Sequence, residues 1–207
     1  MEGNFGKFVF WKEFEAANLA AGEAAAIEQA KYAQEKWAGK GLNCLRIYSE
    51  VVEGHAYAFQ FYAADPAIAD EIFADIRANS ALLEGWTAGS HCYEFPLRPG
   101  DTYENLKTQG IIIGVADGML EEYIRLHDEQ PQIIRDLCYQ NGFRKSSIFV
   151  VELHKLYLLQ FQDFFGEENP ELYEDETYIE WLRVTGLCQA PLPGEKFWKP
   201  MKSVIEV

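Results

Sequence analysis

The chain has 207 residues, 48% of them hydrophobic and 14% aromatic, and 33 acidic against 18 basic side chains give a formal charge of −15. This is enough apolar content for one large domain or two small ones with a real core. The negative charge repels phosphates and anionic lipid, which argues against nucleic acid or a membrane surface as a partner.

No apolar run approaches the length of a membrane span, and MEGNFGKFVF lacks the basic start and apolar stretch of a signal peptide. Cys44, Cys92, Cys138 and Cys188 lie far apart without a CxxC pair, which reads as free thiols in a reducing compartment. The expected location is therefore cytoplasmic.

In chain order, Gly6–Phe14 alternates as a strand, and Ala-rich Asn18–Gly41 reads as a helix with Asn18 as cap and Gly39 and Gly41 at its end. Leu42–Val52 and His55–Tyr62 form a hairpin about Gly54. Asp65-Pro66 opens a helix to about Leu83, and His91–Leu97 is expected as a fourth strand. Pro99-Gly100-Asp101 then punctuates the chain.

The same order begins again after that break. Gln109–Ala116 is a strand and Met119–Asn141 a long amphipathic helix. Phe143–Val151 and Lys155–Gln162 make a hairpin, Pro170–Val184 a helix, and Phe197–Val207 a closing strand. Tyr57-Ala58-Phe59-Gln60-Phe61 and Tyr157-Leu158-Leu159-Gln160-Phe161 occupy matching places, as do Ile47-Tyr48 and Ile148-Phe149. The chain thus reads as a degenerate tandem repeat of roughly a hundred residues, with residues 1–100 a scaffold unit and 107–207 a unit carrying the site.

A strand-helix-strand-strand-helix-strand unit folds as a four-stranded antiparallel sheet with both helices on one face. The expected fold is α+β: two ferredoxin-like βαββαβ units burying their bare sheet faces together as an intrachain α+β barrel. The natural pocket is then the space between the sheets. Exposed sheet edges leave room for a homodimer.

On the long helix Leu120, Tyr123, Ile124, His127, Pro131, Ile134 and Cys138 recur at three- and four-residue steps and share one face. His127 is an ionisable group where periodicity asks for a hydrocarbon, with the phenol of Tyr123 one turn earlier. Such a pair is either a satisfied core pair or the acid–base end of a binding site.

The second half resembles the L-rhamnose mutarotase family, of α+β-barrel proteins with ferredoxin-like topology. The likeness rests on Tyr123-x-x-x-His127 followed by Pro131, on Gly142 closing the helix, on Ser147-Ile148-Phe149, on Trp181 and on an aromatic closing strand. It implies that His127 is the acid–base group, with Tyr123 beside it, and that Tyr123 and Trp181 bind the sugar. Ser146 and Leu182 depart from the family's tyrosine and tryptophan, and Ala26 stands where the first repeat would carry the histidine.

Mutarotation opens a cyclic hemiacetal and recloses it on the other face, giving one proton and taking another. An aromatic wall suits the apolar face of a sugar ring, which marks Trp181 and Trp198; Gln160 and Gln162 suit its hydroxyls. The expected activity is interconversion of monosaccharide anomers without any cofactor. No metal-binding His pair, nucleotide-binding glycine loop or serine-hydrolase elbow is present. The competing readings are a cofactor-free monooxygenase, a haem protein using the helix histidine, and a non-catalytic ligand-binding module.

Overall fold

A computed structural model of the chain describes residues 6–78, 85–96, 98–101, 106–166 and 169–206. The elements in order are β1 (Lys7–Phe14), α1 (Leu19–Trp37), β2 (Leu42–Val52), β3 (His55–Ala64), α2 (Ala69–Ala78), β4 (Thr87–Ala88) and β5 (Ser90–Phe95). They continue as β6 (Leu106–Val115), α3 (Leu120–Asp128), α4 (Gln132–Gln140), β7 (Phe143–Glu152), β8 (Leu156–Phe165), α5 (Glu176–Gly186), β9 (Gln189–Ala190), β10 (Lys199–Pro200) and β11 (Lys202–Glu206). The expected continuation of α2 toward Leu83 and the last residue of the strand expected at His91–Leu97 fall outside the described residues. The chain divides into two compact units, Glu2–His91 with Met201–Val207, and Cys92–Pro200.

The first unit is a sheet of order β11-β2-β3-β1-β4. Glu53 and Gly54, with φ of 51° and 89°, make the two-residue hairpin between β2 and β3, so that Val52 faces His55. Small Ala26, Ala30 and Ala33 of α1 join Ile72 and Ile76 of α2 in a core with Leu45, Ile47 and Tyr62. Phe8 stacks on Tyr62 at 4.9 Å between ring centres, and Phe10 on Phe73 at 5.4 Å. Asp75 ties α2 to α1, accepting from Trp37 Nε1 at 2.8 Å and from Tyr32 and Lys36. Those bonds hold its carboxyl below the usual range against the opposing effect of desolvation.

The second unit repeats the pattern as β10-β6-β8-β7-β5, with β9 also on the β6 edge. In each unit the inner three strands stand in the ferredoxin-like order. Gly114 lets β9 close on β6, since a Cβ there would lie 2.7 Å from the Ala190 carbonyl oxygen.

Two strands go elsewhere than the sequence reading placed them. Thr87–Ala88 takes the fourth position beside β1, and Ser90–Phe95 runs on to the β7 edge of the other sheet. Phe197–Val207 likewise splits: Lys199–Pro200 pairs with β6, and Lys202–Glu206 with β2. Two-residue alternation fits any sheet edge equally well, so the sequence pattern does not say which edge a strand joins.

The helix expected over Met119–Asn141 is two helices. Pro131 has no N–H to bond the preceding turn, and it pushes Gln130 away from helical geometry. It caps α4 instead, with φ −58° and ψ 139°. The helix expected over Pro170–Val184 likewise begins with a short 3₁₀ turn, and α5 starts after Asp175. The Asp175 carboxylate accepts from the backbone N–H of Thr177 at 2.8 Å and of Tyr178 at 3.0 Å. Asp175→Ala is expected to lower stability by about 1 kcal/mol, read from the urea midpoint, because two orphan donors lose their acceptor.

Candidate functional site

A cavity of about 570 Å³ lies within the second unit, between the helix-bearing face of its sheet and α3, α4 and α5. This corrects the expected position, since the sequence reading put the pocket on the sheet face turned away from the helices. The reason is the parity of β8. Leu158, Gln160, Gln162 and Phe164 share one face, and Leu158 and Phe164 belong to the core formed with Tyr123, Ile134 and Tyr178.

All six residues expected at the site line this cavity: His127, Tyr123, Trp181, Gln160, Gln162 and Trp198. His127 is 6% exposed and sits among three aromatic rings. Ring centres lie 4.2 Å away for Tyr123, 4.8 Å for Tyr93 and 5.2 Å for Trp181. The histidine Nδ1 is 3.0 Å from the Tyr123 carbonyl oxygen. A carbonyl only accepts, so Nδ1 carries the hydrogen, and the lone pair of the neutral ring is on Nε2. Burial lowers the imidazole from its ordinary value of 6.5 to about 4, outweighing the favourable effect of the carbonyl bond. The resting ring is therefore neutral near pH 7.

Tyr123 is 1% exposed, and burial raises its phenol well above the usual range despite a hydrogen bond with Gln189. It stays protonated. Tyr93 donates to Gln130 Oε1 at 2.6 Å, which fixes the residue just before Pro131, between α3 and α4. On the sheet, Gln160 Nε2 donates to Ser146 Oγ at 2.8 Å, and Gln162 Nε2 to Gln109 Oε1 at 3.3 Å.

No Asp, Glu, Lys or Arg is among the described residues lining the cavity. The polar groups of those lining residues are amides, hydroxyls, two indoles, one thiol and one imidazole. The thiol, Cys138, is pushed up to about 12 by burial, which leaves it protonated and a poor nucleophile. Among the described residues no group of three or more His, Cys, Asp or Glu side chains could hold a metal ion, and no helix is long and apolar enough to cross a membrane. His55 and His154 are exposed, and His91 is half-buried.

The sequence reading missed Tyr93, Gln130, Gln189 and Gln109, and it noted Ser146 and Leu182 only as departures from a pattern. Tyr93 and Phe95 alternate on β5, but nothing local says that β5 joins this sheet. Gln109 shares a face with Ile111, and that two-residue step was the available signal.

A family model matches the half of the chain that holds this cavity. Residues 108–207 match the L-rhamnose mutarotase family. The mutarotase-like half therefore contains His127, Tyr123 and Trp181, while Tyr93 and Phe95 come from the preceding stretch. No curated protein sequence matches the chain. The whole chain is similar in fold to a provisionally named monooxygenase from Fusobacterium nucleatum. Identity there is 10% and the TM-score 0.51, over 97% of this chain and 92% of that one. It is also similar to one from Lactobacillus acidophilus, with 11% identity and a TM-score of 0.50 over 97% and 95%. At such identities the likeness is one of architecture.

Proposed function

We infer that the cavity binds an uncharged reducing sugar and interconverts its anomers. The observation that carries this reading is the tautomer of His127. Its Nδ1–H is held by a backbone carbonyl, which leaves the lone pair on Nε2, and the residue lines a cavity with no charged side chain among its described lining residues. The match of the mutarotase family model to this half supports the same reading.

In the forward step, Nε2 takes the proton of the anomeric hydroxyl as the bond from the anomeric carbon to the ring oxygen breaks and the carbonyl forms. The Tyr123 phenol gives its proton to the ring oxygen in the same step. The step leaves a phenolate and an imidazolium together until the transfers reverse, so the chamber's net charge stays at zero throughout. Rotation of the open-chain aldehyde turns its other face to the hydroxyl, and the transfers run backward to close the ring. Nothing is consumed, so no cofactor is required. The rings of Trp181 and Trp198 offer apolar faces to the sugar, and the amides of Gln160 and Gln162 take its hydroxyls.

The test is saturation-transfer NMR of anomer exchange, beginning with L-rhamnose and extending to other neutral sugars. Exchange well above the buffer rate, proportional to protein concentration, is the expected result. Wild-type protein that speeds no neutral sugar above buffer would remove the reading.

A further inference from the structure

We propose that residues 191–198 form a flap over the cavity, and that Phe197 on it folds onto the bound sugar as the last wall of the site. This rests on the sugar-binding reading above and deepens it, naming a residue and a movement that hold the substrate.

The flap is written in the strand register. On the outer edge of β6, Val115 and Gly114 stand opposite Gln189 and Ala190, while Ile112 and Ile111 stand opposite Lys199 and Pro200. Both runs are antiparallel, so one unbroken strand would need a single residue opposite Ile113. The eight residues 191–198 take that place. The chain leaves the sheet and returns to it within two strand steps, about 7 Å at ~3.4 Å per residue. A detour whose ends lie this close is an Ω-type loop, and the ladder itself needs none of it.

The detour stands at the reacting end of the cavity. It begins directly after β9, whose Gln189 is hydrogen-bonded with the Tyr123 phenol. Tyr123 in turn lies 4.2 Å from His127 between ring centres. The last two residues of the detour, Phe197 and Trp198, both line the cavity.

The detour has two anchored parts and a short arm between them. Leu192 is 4% exposed, and its carbonyl accepts from the Glu195 N–H at 2.9 Å. Pro193 in second place and Gly194 in third, with φ of 87°, suit a type II turn there. On the other side Trp198 packs against the core of the unit. Lys196 and Phe197 make up the arm. Phe197 is 75% exposed and has no ring partner among the described residues. Of the large hydrophobic residues lining the cavity it is the most exposed, ahead of Tyr173 at 45% and Leu182 at 37%.

An apolar ring left in water at the border of a cavity is stabilised by whatever covers it. A sugar offers that cover, because the C–H groups on one side of its ring make an apolar face. Swinging the arm inward buries Phe197 on this face and leaves both anchors in place. The closed arm keeps bulk water from the aldehyde while the sugar ring is open, and its opening releases either anomer.

The experiment combines amide hydrogen exchange, read by mass spectrometry, with saturation-transfer NMR of anomer exchange over a range of sugar concentrations. The probes are L-rhamnose, glucose and galactose. In the wild type, amides within 191–198 are expected to exchange about tenfold more slowly when the sugar is present. Phe197→Ala is expected to raise KM about tenfold with little change in kcat, as loss of one aromatic contact made equally before and during the reaction would do. Phe197→Trp keeps an aromatic face and is expected to restore KM. Both variants are expected to keep the wild-type urea midpoint, since the side chain is exposed in the free protein. Anomer exchange with either mark missing, the slowed amides or the raised KM, would overturn the flap and leave the sugar reading standing. Slowed amides without anomer exchange would keep the flap and remove the catalytic reading. Sugars that change neither would overturn both.

Discussion

Replacing His127 with glutamine is expected to reduce protein-dependent anomer exchange by about 10²- to 10⁴-fold, the range that a positioned acid–base group supplies. Glutamine keeps much of the volume and can still donate to the Tyr123 carbonyl, so the aromatic surroundings stay filled. It has no basic lone pair to take the anomeric proton. The wild-type pH profile adds a second mark. An imidazole of ordinary pKa would lose half its base form near pH 6.5, whereas burial here lowers that value to about 4. The rate of the wild type is therefore expected to stay level from about pH 5 to 8 and to fall only as the solution approaches pH 4. A profile bending near 6.5, or a glutamine variant as fast as the wild type, would mean that His127 does not take the proton.

The same burial predicts a loss of stability on mild acidification. The unfolded chain takes up a proton on His127 as pH falls through 6.5, but the folded chain resists until about 4. Between those values the unfolded state binds more protons, so stability declines with falling pH. The contribution of this one residue is about 2 kcal/mol less stability at pH 5 than at pH 7. Urea midpoints at the two pH values, for wild type and for His127→Gln, isolate it. The variant is expected to lack that part of the slope while keeping whatever the carboxylates contribute. Parallel slopes for both proteins would show that the ring is hydrated in the folded state.

The local parts of this molecule were legible in its sequence, and the distant pairings were not. Alternation marked the long strands because a half-buried sheet needs it, and a four-residue step put Tyr123 and His127 on one helix face. That step survives in α3 because both residues precede Pro131. Reading the helix straight through Pro131 failed for a local reason, the missing N–H of proline. The place of the cavity failed for a non-local one. Gln160 and Gln162 were recognised as suited to hydroxyls, yet only the pairing of β8 with β6 and β7 shows that their face carries the helices. Tyr93 was invisible for the same reason, because its strand leaves the repeat in which it is written.

That crossing has a practical consequence for anyone who trims the gene. A fragment starting at residue 107 would match the mutarotase family from end to end and still lack Ser90–Phe95. The outer margin of β7 would then present bare amides and carbonyls, an invitation to aggregate, and Gln130 would lose the phenol that anchors it. The other fragment would miss Lys202–Glu206 along β2. The two repeats are mutually dependent for their borders, so a protein meant to keep both sheets edged has to carry both.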